Sequence, residues 1–222
     1  MYRRALEIRE KSQGSNHPNV AALLNNLAAL YHAQGKYDKA EPMYRRGLDI
    51  LEKSLGTDHP NVATSLNNLA ELYRAQSKYT EAEPMYRRAL AIFEKSLGTD
   101  LPDVANSLNN LALLYYAQGK YTEAEPMYRR ALEIHKKSLG KDHPSVATSL
   151  NNLALLYFAQ GKFAEAESMY RCALEILEKS LGENHPNFVT GLENLAALLR
   201  KTNREAEAQE MEERARKIRE TL

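Results

Sequence analysis

The chain has 222 residues, with 30 Lys and Arg against 29 Asp and Glu, a net charge of +1. That balance gives no electrostatic handle on nucleic acid or an anionic membrane, and no apolar run approaches the ~18 residues of a membrane helix. Apolar residues make up 43% and charged residues 27%, a composition that folds, and the lone cysteine excludes an internal disulfide and fits a reducing, cytoplasmic setting.

In chain order, the first element predicted is a helix over residues 1–14. Glu7, Arg9, Glu10 and Lys11 stand where a signal peptide needs an apolar stretch, so no leader is expected. Tyr2-Arg3-Arg4-Ala5-Leu6 aligns with Tyr86-Arg87-Arg88-Ala89-Leu90, so this segment reads as half a repeat. Full repeats then follow at 15–56, 57–98, 99–140 and 141–182, and a divergent closing repeat at 183–222. Together they are expected to form one repeat domain over 1–222. The block that starts at His59 and the block 42 residues later share 32 of 42 positions.

Each repeat predicts two helices and no strand. In the third copy, Leu108, Leu111, Ala112 and Tyr115 recur as 0, 3, 4, 7, one face of a helix. Pro102 stands at its start and Gly119 at its end, positions that suit a missing N–H and a positive φ. Thr122-Glu123-Ala124-Glu125 reads as a capping box opening the second helix. Pro126 is expected in its first turn, with Ala124, Tyr128, Ala131 and Leu132 on the inner face and Gly140 as the stop. Eleven helices result, one orphan and five pairs. A lone pair cannot bury its apolar face, so the pairs should stack. The last helix, from Arg204, is dense in charge, as a terminal cap would be. The start carries no cap, so a longer or trimmed protein is expected, with an apolar edge available for self-association.

Leu108, Leu111, Ala112, Tyr115, Gly119, Ala124, Tyr128 and Ala131 together resemble the tetratricopeptide repeat, a family whose usual period is ~34 residues. The period of 42, with the connector Ser-Leu-Gly-x-x-His-Pro-x-Val-Ala, is similar to kinesin light chains and their bacterial relatives. The segments Leu66-Asn67-Asn68-Leu69-Ala70, Gly119 to Pro126 and Arg130 to Ile134 carry the likeness. The chain departs from the pattern at Leu101, Ser77 and Glu212. HEAT repeats share the period, but the Ala/Tyr/Ala triplet argues against them. The resemblance implies an all-α, right-handed tetratricopeptide α-solenoid of about eleven helices, whose first helices line a concave groove.

No catalytic or cofactor constellation stands out. His17, His59, His143 and His185 come once per connector, on the order of 10 Å apart as packed helices are, too far to share a metal. They are expected to fix the connectors. His32 and His135 read as surface or groove residues. Cys172 stands where Arg46, Arg88 and Arg130 stand in other copies, and reads as an incidental, partly exposed thiol. The protein is expected to be no enzyme.

Opposite the core stripe, the first helices carry a face that varies between copies. It reads Asn25, Ala29 and His32; then Asn67, Glu71 and Arg74; then Asn109, Leu113 and Tyr116; then Asn151, Leu155 and Phe158; and last Glu193, Ala197 and Arg200. A ladder of asparagines can hold the main chain of an extended peptide. The patch Leu113, Tyr116, Leu155 and Phe158 can take a bulky apolar side chain, and Arg74 or Arg200 can meet an acid. The second asparagines, Asn26, Asn68, Asn110 and Asn152, are expected to brace adjacent repeats. The kinesin light chain likeness implies short peptides with an aromatic beside acidic residues. A purely structural or self-assembling array, designed or recently duplicated, is the alternative that the sameness of the copies keeps open.

Overall fold

Four of the five first helices begin in the same way. A histidine sits in extended backbone, and its Nδ1 accepts the N–H two residues on, at 3.1 Å each time: His17 from Asn19, His59 from Asn61, His143 from Ser145 and His185 from Asn187. The imidazole is thus an N-cap, and the proline that follows occupies a site that needs no N–H. The computed structural model describes residues 2–220. Among them are eleven α-helices and no strand: α1 (Tyr2–Gln13), α2 (Pro18–Ala33), α3 (Tyr37–Leu55), α4 (Pro60–Ala75), α5 (Tyr79–Leu97), α6 (Pro102–Ala117), α7 (Tyr121–Leu139), α8 (Pro144–Ala159), α9 (Phe163–Leu181), α10 (Pro186–Lys201) and α11 (Glu205–Arg219).

The first helices stop in a Schellman turn. After α6, the N–H groups of Lys120 and Gly119 return to the carbonyls of Tyr115 and Tyr116, both at 2.9 Å, with Gly119 at φ +72°. Ser77 makes the same turn at φ +59°, a region that costs a residue with a Cβ about 1–2 kcal/mol.

That turn also corrects the reading of the second helices. It delivers the chain into α7 at Tyr121, with Lys120 at the N-cap and no side-chain cap bond. Thr122 is already inside the helix, and its hydroxyl donates to the neighbouring Glu123 carboxylate at 2.7 Å. The capping box is therefore not formed. Pro126 is likewise the sixth residue of α7, beyond the first turn, where it forfeits one ladder bond.

Contacts gather the chain into two compact units, Met1–Thr99 and Asp100–Leu222. In the first, α2 packs on α3 and α4 on α5, with α1 against α2 and α3 against α4. In the second, the couples are α6 with α7, α8 with α9 and α10 with α11, joined by α7 on α8 and α9 on α10. Small residues permit the close crossings: Ala112, Ala124 and Ala131 are fully buried. Tyr86, Tyr128 and Tyr170 are among the largest fully buried side chains, each contributing roughly 1.5–3 kcal/mol through burial.

Polar bonds repeat across the junctions. Tyr73 of α4 donates its hydroxyl to Glu41 of α3 at 2.8 Å, and Arg45 holds the same carboxylate at 3.0 Å. Tyr157 of α8 does this with Glu125 of α7 at 3.0 Å, beside Arg129. In the last repeat Leu199 replaces the tyrosine, and Arg204 reaches Glu167 instead at 2.8 Å. A second series joins successive second helices: Arg46 to Glu10 and Arg88 to Glu52, both at 2.7 Å, and Arg214 to Glu178 at 3.1 Å. Arg46 and Arg88 also donate to the connector carbonyls of Ser15 and Thr57, both at 3.2 Å. On α9 the corresponding residue is Cys172, and the residue facing it on α7 is Lys136. Both halves of the ion pair are replaced together.

Candidate functional site

The exposed stripe of the first helices is set by what covers their other sides. In α2 it runs through Asn19, Ala22, Asn26, Ala29 and Ala33, all exposed. Its equivalents on α4 are Asn61, Thr64, Asn68, Glu71 and Ala75. In the first unit this stripe borders a hollow of about 300 Å³, lined by Pro18, Asn19, Ala22, Asn25 and Asn26 of α2, Leu51 of α3, and Asn61, Thr64 and Asn68 of α4. A smaller hollow of about 120 Å³ lies in the same register of the second unit, lined by Ala147, Thr148, Asn151, Leu177, Asn187 and Thr190. The polar lining is uncharged in both.

In α2 the two asparagines exchange the roles expected of them, and the first asparagines of α6 and α8 follow Asn25. The first member turns toward the neighbouring repeat. Asn25 accepts from Ser65 at 3.3 Å, buried Asn109 donates to Ser149 at 3.2 Å, and Asn151 accepts from Asn194 at 3.2 Å. Asn67 is half-buried at the same place. In the first unit the second member is on the open side: Asn26 is exposed, and Asn26 and Asn68 line the larger hollow beside Asn25, whereas Asn110, Asn152 and Asn194 are half-buried. The physical reason is that α2, α6 and α8 each have two covered flanks, their own second helix and the next first helix of the same unit. The second position was also the better sequence signal. It is asparagine in all five copies, ending in Asn194, whereas the first becomes Glu193.

The two arginines are engaged. Arg74 grips Glu71 through Nε at 2.7 Å and a terminal nitrogen at 2.5 Å, and Tyr86 donates to the same carboxylate at 2.8 Å. Burial pushes the Glu71 carboxyl up, but Arg74 and Tyr86 outweigh it and hold it below the usual value. Burial, with Glu71 nearby, pushes the Tyr44 hydroxyl up to about 12. Arg200 is bonded to Glu212 at 2.7 Å and Glu205 at 3.2 Å. Neither guanidinium stands free to meet an acidic ligand, because each is neutralised within the fold.

The apolar patch in the second unit is half-exposed. Leu113, Tyr116, Leu155 and Phe158 are each partly open to solvent. Tyr116 packs on Tyr121 with ring centres 5.6 Å apart, and Phe158 on Phe163 at 5.8 Å. Burial and Tyr121 raise the Tyr116 hydroxyl pKa. His32 makes the equivalent contact with Tyr37 in the first unit, also at 5.6 Å. His135 corrects the expectation of a surface or groove residue: it is 1% exposed, in a core position held by Leu51, Phe93 and Leu177 elsewhere. Among the described residues no group of three or more His, Cys, Asp or Glu could hold a metal ion, and no helix is long and apolar enough to cross a membrane.

The comparisons with known proteins define the class. The family model described as tetratricopeptide repeat matches residues 1–53, 48–95, 103–179 and 145–221. The chain belongs to the tetratricopeptide repeat family, in which the functional class is protein interaction or scaffolding. Among solved structures it is similar to BtubC (BKLC) from P. vanneervenii, at 26% identity and a TM-score of 0.79, over 99% of this chain and 87% of that one. It is also similar to a Podosopora anserina protein described as a kinesin light chain with nearly identical TPR-like repeats. There the identity is 30% and the TM-score 0.72, over 91% of this chain and 96% of that one. The apo form of RapI shares the fold at 19% identity and a TM-score of 0.73, over 90% of this chain and 70% of that one. A search of curated proteins gave no match.

Proposed function

We propose that the chain is a non-enzymatic module that binds an extended peptide or partner segment along the exposed stripe of its first helices. The observation that carries this reading is the hollow of about 300 Å³ with its uncharged amide and hydroxyl lining, met again in the second unit. Primary amides offer a donor and an acceptor each, the complement of a peptide main chain. Asn26 and Asn68, with Asn61 and Thr64, do this work in the first unit. In the second, Leu113, Tyr116, Leu155 and Phe158 receive a bulky apolar side chain. The engaged arginines take an acidic requirement out of the motif. The proteins similar to this chain include one described as a kinesin light chain, which favours a peptide ligand.

Fluorescence polarisation against a library of extended peptides tests this. Binders should lose affinity with Asn68→Ala and Phe158→Ala and keep it with Arg74→Lys. A library with no binder sensitive to Asn68 or Phe158 rejects the reading and leaves a structural array. That second reading draws on the sameness of adjacent copies, 32 of 42 positions, which leaves few residues to encode a ligand.

A further inference from the structure

The junction of α7 and α8 combines three features that the α3–α4 and α9–α10 junctions do not bring together. His135 of α7 is buried where those junctions have Leu51 and Leu177. Its Nδ1 lies 2.9 Å from the Ser149 hydroxyl of α8, which also accepts from Asn109 of α6. Its Nε2 and the Asn109 Oδ1 are buried without a hydrogen-bond partner. The second feature is a neighbouring histidine. His143, the N-cap of α8, acts electrostatically on His135, and it caps only while Nδ1 carries a lone pair. The third is the missing ion pair, with Cys172 over Lys136.

We propose that this joint is an acid-sensitive point of the array: protonation of His135 loosens it before the α3–α4 and α9–α10 junctions open. His135 resists the proton for two reasons. A charge on His135 would be buried with no carboxylate bonded to its ring among the described residues. It would also be repelled by His143 beside it. The surroundings add cations: Lys136 and Lys141 line the adjoining hollow with Lys179 of α9, against Asp142 and Glu175. Lys136 is bonded to Glu133 of its own helix, and Lys137 to Asp100.

Burial, with His143 beside it, lowers the pKa of His135 despite the carbonyls of Pro102 and Ser145. The unfolded chain therefore takes this proton first, near pH 6.5. The stability of the joint is whole above that value and declines as pH falls through it, until the native ring is also charged.

Hydrogen exchange read by mass spectrometry on the full chain tests the proposal, at pH 7.5 and 5.0 after correction for intrinsic rates. Expected is a severalfold rise in opening at pH 5.0 for the end of α7 and the start of α8, beyond any rise at the α3–α4 and α9–α10 junctions. His135→Leu, the residue of the sister copies, should remove most of that excess, and His143→Asn, which keeps a cap but removes the imidazole that acts on His135, should remove part of it. His59→Asn should leave it unchanged. His135→Phe, after Phe93, substitutes should His135→Leu fold poorly. An equal rise at all histidine-capped junctions, no rise, or an excess that survives both His135 variants overturns the proposal.

Discussion

Arg74 and Glu71 form a closed couple on the face of α4, with two guanidinium nitrogens on one carboxylate and the Tyr86 hydroxyl beside them. Glu71→Ala leaves the arginine and the hydroxyl without their acceptor. The expected loss is about 1 kcal/mol once partial solvent exposure is allowed for, read by urea denaturation at pH 7. Because the Glu71 carboxyl is held below its ordinary value, this contribution is present above about pH 4.3. It fades as pH falls through the native value, so wild type and variant should converge in acid melts. A gap that widens in acid contradicts the assignment.

Tyr128 is fully buried, and Tyr128→Ala should cost ~3–5 kcal/mol. Thr122 is exposed and bonded only to Glu123. With no cap to lose, Thr122→Ala should fall within ~0.5 kcal/mol of wild type. Urea midpoints for the two variants rank them directly.

At Ser77 the prediction is a gain. Ser77→Gly relieves a left-handed residue that sister copies fill with Gly35, Gly119 and Gly161. Part of the relief is offset by the looser unfolded chain, so a stabilisation of roughly 0.5–1 kcal/mol is expected. Thermal melting should show it, and an unchanged or lower midpoint counts against strain at this turn.

Leu101 sits at the N-cap of α6 in the extended backbone that the capping histidines share, but it has no side-chain acceptor. Leu101→Asn should add about 1 kcal/mol, and His59→Ala should remove a similar amount. Opposite signs in matched melts are the required outcome. Equal signs would separate the histidines from the capping role.

The helices were legible because the period of 42 repeats five times, and each copy reports the same buried stripe through Leu111, Ala112, Tyr115 and Tyr128. The helix starts were less so: a Thr-x-x-Glu pattern at Thr122 looks like a cap until the preceding turn is seen to place Tyr121 inside the helix. The exposed face was missed by one residue. Asn109 and Asn110 are adjacent in sequence and lie 100° apart on the helix, and the choice between them depends on where the next repeat packs. The pairing of Arg74 with Glu71 is an i, i+3 relation that spacing could have revealed. The burial of His135 could not be seen from its type, only from the leucines and phenylalanine at its register in the other copies.

Near-identical copies invite the chain to stack one unit out of step. The exchange of an arginine and a glutamate for Cys172 and Lys136 breaks that degeneracy. In a slipped arrangement, an arginine such as Arg214 brought over α7 would meet Lys136 and be repelled, while Cys172 would leave a glutamate unanswered. One odd joint thus works as a registration mark, by which an otherwise monotonous polymer keeps count of itself as it folds.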